Sequence, residues 1–232
     1  PVKKPVVLKD ALWIPFDDGA LDGLLEQRIE IPSININALR DDLDLIGCLN
    51  QIGEICFEAV DSGTKLVVLD TATKLDKLIC AYWSHEDNAP RGKGDKVDGF
   101  GIHNCIVDTH TRFHDDLSAL NCHVVYLCHS KPLGESTSVQ AKARAQALPG
   151  AQQADLVMDF TYYKVGNLYR QDSSIIASIH AEKNKTGKME HVAYTQTHKG
   201  FEGGNRFQLS LAEKEPADLG KIFTKIEKQV KG

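Results

Sequence analysis

An α/β fold with a central, mostly parallel sheet flanked by helices and antiparallel strands at its C-terminal edge is predicted by three features of the sequence. Short apolar runs alternate with longer stretches of helical periodicity through the first half of the chain. One of those runs, KLVVLD, is apolar at consecutive positions, the pattern of a strand buried on both faces. Beyond the middle of the chain, several strand-like segments follow one another with little helical pattern between them, which adds antiparallel pairing to the parallel core.

Each element follows in order. DALWIPF reads as a strand that runs into the acidic pair Asp17 and Asp18. NALRDDLDLIGCLNQIGEICFEAV places Leu39, Leu43, Ile46, Leu49, Ile52 and Cys56 at helical spacing and is expected to be one helix. KLVVLD is a strand ending on Asp70, with Thr71 next. GIHNCIVDTHTRFHDDLSAL is a second helix, and HVVYLCH a strand ending on His129. ADLVMDFTYYKV, SIIASIHAEK, MEHVAYTQT and NRFQLSL read as strands, and DLGKIFTKIEKQVK as a closing helix. Residues 84–99 and 130–150 are rich in Gly, Pro, Ser and charge and read as loops. Loops that long in a compact domain commonly serve function. No repeat interrupts the order, so residues 1–232 are read as one domain.

Composition narrows the function classes. The chain has 232 residues, 42% hydrophobic, which suffices for a substantial core, and its net charge of −5 argues against a surface that is basic all over. Any nucleic-acid contact must be local. Six cysteines lie mostly in apolar runs with no CxxC pair, so neither a zinc site nor a secreted disulfide framework is expected. No run is apolar enough to span a bilayer and the start, PVKKPVVLKD, lacks the apolar core of a signal peptide. A cytoplasmic protein without a membrane segment is expected.

Four strand ends carry chemistry. In open α/β sheets ligands bind beyond the carboxyl ends of the strands, where Asp70 and Thr71 stand. A carboxylate there suits the magnesium of a nucleotide; the same residue is also an ordinary helix cap. Asp17 or Asp18 could orient a water as general base, or simply make a turn. His129 ends the strand after Asp70 and could sense a terminal phosphate. Lys183 and Lys185, one residue apart in HAEKNKTGK, point to one side if the backbone there is extended, as a polyphosphate would require.

The succession WIPFDDGALD, KLVVLDTATKL, HVVYLCHSK, PGAQQADLVMDF, IHAEKNKTGK and YTQTHKGFEGG resembles the RecA-type ATPase core, over roughly residues 12–204. Within it the chain is most similar to phage RecA-like NTP-binding proteins of single-strand annealing and recombination, and more distantly to hexameric replicative helicases of the DnaB and RepA kinds. The resemblance implies an ATP- and Mg²⁺-dependent ATPase acting on DNA in recombination or replication. Asp70 would be the Walker B aspartate that holds Mg²⁺ through water, with Thr71 beside it. Asp18 rather than Asp17 falls at the catalytic carboxylate in one register, so both stay open. His129 would sense the γ-phosphate, and Lys183 with Lys185 would reach a neighbouring protomer's nucleotide, which implies a homo-oligomeric ring or filament. The two loops would face nucleic acid, most simply single-stranded DNA, through Arg91, Lys93 and Lys96 in one and Lys131, Lys142 and Arg144 in the other.

One departure stands out. The phosphate cradle GxxxxGK[ST] is absent: the Gly-Lys pairs at Gly92, Gly187 and Gly220 are followed by Gly, Met and Ile, with no glycine at the required earlier position. Two expectations follow. Either the cradle strand, loop and helix belong ahead of Pro1, or the chain is a catalytically silent relative that binds DNA or protein.

Overall fold

The computed structural model describes residues 6–132, 156–199, 201, 203–207 and 210–230. They fall into two compact units, Pro1–His129 and Ser130–Gly232.

The first unit is built on three parallel strands in the order β2-β4-β5, where β2 is Ala11–Pro15, β4 is Leu66–Asp70 and β5 is His123–Leu127. A two-residue strand β1, Val6–Val7, pairs in parallel with β3, Ile29–Glu30. The central position of β4 explains its composition. Val67, Val68 and Leu69 are buried on both faces, and each such side chain contributes about 1.5–3 kcal/mol of transfer free energy. Register is in step along all three strands: Pro15 lies across from Asp70, and Asp70 from Leu127. The carboxyl ends of the sheet are therefore level.

Helices supply the connections that parallel strands need. After the short α1, Asp22–Glu26, come α2, Ile36–Asp42, and α3, Leu45–Asp61. The sequence periodicity predicts one helix here, but Asp44 breaks it. Its side chain accepts the Gly47 N–H at 2.7 Å as an N-cap and the Tyr82 hydroxyl proton at 2.8 Å. Those two bonds, the backbone one first, hold the Asp44 carboxyl below the usual range. Helix α3 buries Cys48, Leu49, Ile52 and Cys56. Helix α4, Ala72–Ser84, follows β4 directly and was not marked by the sequence pattern; α5, Gly99–Ser118, matches its expected span. Helices α3, α4 and α5 pack on one another.

In the second unit β10, Met189–Tyr194, lies between β9, Ser178–Lys183, and β12, Lys214–Pro216, all antiparallel. β6, Ser130–Pro132, pairs with β7, Leu156–Met158, and β8, Ile175–Ile176, with β11, Gly204–Asn205. Two expected strands differ. TYYKV enters a helix, α6, Tyr163–Asp172, whose Val165, Gly166 and Tyr169 are buried, and among the described residues of NRFQLSL only Asn205 lies in a strand. The closing helix α7, Leu219–Val230, lays Ile222 and Ile226 on Ala193 and Leu211. Among the described residues no helix is long and apolar enough to cross a membrane. The α/β class, the parallel core and the antiparallel C-terminal strands are as the sequence predicts.

Candidate functional site

Level strand ends bring three predicted residues together. The Asp70 carbonyl accepts the N–H groups of Phe16, at 2.6 Å, and Asp17, at 3.2 Å, so the chain leaving β2 stays beside the end of β4. Asp17 Oδ2 then accepts the Thr71 hydroxyl proton at 2.7 Å. The same Thr71 oxygen accepts the Lys74 N–H at 3.1 Å and caps α4. One hydroxyl thus serves helix and site together. On the other flank the His129 N–H donates to Thr73 Oγ1 at 3.0 Å, which holds the residue leaving β5 against the first turn of α4.

The electrostatics of Asp70 follow from this placement. Burial pushes its carboxyl above the usual range, and the nearby Asp17 charge adds to the rise. The Trp13 indole N–H and the His129 side chain oppose it. Trp13 Nε1 is itself buried and closes no hydrogen bond of normal geometry, so its help is that of a nearby dipole. The result is a half-buried carboxylate with a second carboxylate close by, an arrangement that a cation would relieve.

No group of three or more His, Cys, Asp or Glu side chains able to hold a metal ion exists among the described residues. Magnesium in a nucleotide site keeps several waters and takes one or two carboxylates plus phosphate oxygens. Asp70 fits as such a carboxylate.

The remaining predicted residues are placed as follows. Asp18 is exposed on the turn after β2, without the Thr71 contact that Asp17 makes. Lys183 is the last residue of β9 and exposed, across from Met189. Lys185 is exposed but not on the strand, contrary to the extended-backbone expectation. Asn184 Oδ1 accepts the N–H groups of Thr186 and Lys188, each at 3.0 Å, and Gly187 takes a φ of 81°, so residues 184–188 form a closed hairpin loop. Turn chemistry overrides the alternation there. Behind the loop, Glu182 accepts protons from Lys214 Nζ at 2.7 Å and the Tyr194 hydroxyl at 2.9 Å, and Lys199 Nζ lies at 3.5 Å. The Lys214 bond, then the Tyr194 bond, pulls the Glu182 carboxyl down to about 2.

The loop cations are less free than the sequence implies. Arg91 donates to the backbone carbonyls of Glu86, at 2.9 Å, and Asp95, at 3.4 Å, and so braces its own loop. Lys93 and Lys96 are exposed. Lys131 is paired with Asp159 at 3.2 Å and donates to the Phe160 carbonyl. Lys142 and Arg144 lie outside the described residues.

Thr73 and Trp13 are the residues that sequence reasoning missed. Nothing in TATKL distinguishes a threonine that caps its helix from one that holds a strand end 56 residues away.

A three-stranded parallel sheet flanked by helices, with acidic and hydroxyl residues at its carboxyl ends, is consistent with a P-loop ATPase-type core. The chain belongs to the AAA domain family, whose model matches residues 6–207. No curated protein and no solved structure matches it.

Proposed function

We propose that this chain carries the magnesium- and water-positioning part of an ATPase that acts on DNA in recombination or replication, with Asp70 toward Mg²⁺ and Asp17 as the carboxylate that orients the attacking water. The observation that carries the reading is the Asp17–Thr71 hydrogen bond at the end of β4, which places a second carboxylate beside a half-buried first one. Bound magnesium would neutralise phosphate oxygens; the chain's own groups orient and hold protons. Asp17 is aligned by Thr71, and His129 is held within electrostatic reach of Asp70. The likeness to phage RecA-like recombination proteins supports DNA as the partner and a homo-oligomer with Lys183 and Lys185 acting across its interface. Exposed Lys93 and Lys96 support a local contact with single-stranded DNA.

A second reading, a catalytically silent module that binds DNA or protein, is favoured by the lack of GxxxxGK[ST] within these residues. The two readings part at Asp17. In the complete gene product Asp17→Asn should lower kcat for Mg²⁺-dependent ATP hydrolysis by about 10²–10⁴-fold, while Asp18→Asn stays within a small factor of wild type. Phosphate release and fluorescent-nucleotide affinity measured on both variants decide it. Equal loss in the two would reject Asp17, and no hydrolysis by the wild type at any magnesium concentration would favour the silent module.

A further inference from the structure

Two threonines two residues apart each make a contact that their own helix does not need. An N-cap hydroxyl ordinarily serves the first turn of its helix, and Thr71 does so by accepting the Lys74 N–H. Yet its proton goes outward to Asp17, 54 residues earlier in the chain. Thr73 sits in the first turn of the same helix, 1% exposed, and its oxygen accepts the N–H of His129. Between them Ala72 is fully buried.

The consequence is geometric. Residues that follow β2 and β5 lie beyond the paired register; the Phe16 and Asp17 N–H groups still bond the Asp70 carbonyl, and each segment also meets a threonine hydroxyl. One hydroxyl fastens the first of these segments and one the second, both to the residues that follow β4. We infer that Thr71–Ala72–Thr73 is a two-hydroxyl clamp that sets the spacing of Asp17 and His129 about Asp70, and that Thr73 is a positioning residue for His129. Thr73 touches no reacting atom in this assignment; it acts through the backbone of His129.

The functional half rests on the ATPase reading above; the placement half does not. Thr73→Val keeps the side-chain shape and removes the acceptor, whereas Thr73→Ser keeps the acceptor. The first measurement is amide hydrogen exchange at His129, referred to the amides of β4, in the complete gene product. Thr73→Val should speed exchange at His129 by about 10-fold, which corresponds to about 1.4 kcal/mol and lies within the net range of one hydrogen bond. Thr73→Ser should remain near wild type. The second measurement is steady-state hydrolysis. Thr73→Val should lower kcat by about 10-fold or more with KM for ATP little changed, since a misplaced group costs rate where it acts only in the transition state, and Thr73→Ser should restore it.

Unchanged His129 exchange in Thr73→Val would overturn the clamp. So would faster exchange with unchanged kcat in a wild type that hydrolyses ATP, because Thr73 would then be structural only. If wild type hydrolyses nothing, the ATPase reading fails, and faster exchange confined to His129 in Thr73→Val still supports the clamp.

Discussion

Asp70 is where stability and function pull apart. Its folded-state carboxyl lies above the ordinary range, first through burial and then through Asp17. The sign follows from linkage: a carboxyl whose pKa rises on folding destabilises the fold when ionised, fully at pH above its folded value, and not at all below its unfolded value. Asp70→Asn should therefore unfold at a higher temperature than wild type near neutral pH, while abolishing hydrolysis. That gain should vanish as the pH falls below the usual carboxylate range. Thermal denaturation of both proteins across pH checks it, and a lower melting temperature for Asp70→Asn at neutral pH would mean that the carboxylate is held for packing rather than for a cation. Glu182 shows the opposite sign. Two hydrogen bonds and the Lys199 charge hold it down, so its stabilising contribution is present above about 4.5 and fades toward about 2.

Helices α4 and α5 are joined by a pair that hydrophobic periodicity does not announce. His110 Nε2 and Asp76 Oδ1 lie 3.1 Å apart with side chains 0% and 2% exposed. Such a pair is costly to break because the survivor stays buried without its partner, so Asp76→Ala should cost about 3–5 kcal/mol in urea denaturation. Replacing Asp76 and His110 together by Leu should recover part of that loss, as each polar group is then removed along with the one it faces across the helix pair. A double replacement as damaging as the sum of the single ones would show that the pair is not coupled. The same helix pair carries Thr73 at its start, which makes α4 both a wall of the core and the anchor of the strand ends.

At the scale of the whole molecule the question is whether one protomer completes another. Lys183 and Lys185 are exposed and make no ion pair among the described residues, whereas Lys199 and Lys214 are engaged by Glu182. In the proposed homo-oligomer these two hairpin-end cations would meet phosphates brought by a neighbour. Replacing both by Ala should leave the fold intact and reduce hydrolysis by about 10³-fold or more if they act on developing charge. Mixed with Asp70→Asn, the double variant should regain activity, because a mixed interface pairs an intact Asp70 with intact lysines. Mixed oligomers that form and stay inactive at every ratio would place the lysines outside the ATP site.

Apolar patterning determined the class of fold, since burial on two faces demands a run such as KLVVLD and a helix face demands the spacing of Leu49, Ile52 and Cys56. It marked Asp70 as a strand-end residue for the same reason, the apolar run stopping where the strand leaves the core, whereas β5 ends at Leu127, two residues short of the expected end at His129. Local polar chemistry was harder to read. Asp44 splitting one helix into two and Asn184 folding Lys185 into a loop are hydrogen-bond choices that compete with periodicity and win only in place. What the tertiary structure alone decided is the choice between Asp17 and Asp18 as the partner of Thr71, and the reach of Thr73 to His129. Both depend on strands β2, β4 and β5 ending level, a register that brings residues more than fifty positions apart within hydrogen-bonding distance and leaves no periodic trace in the sequence.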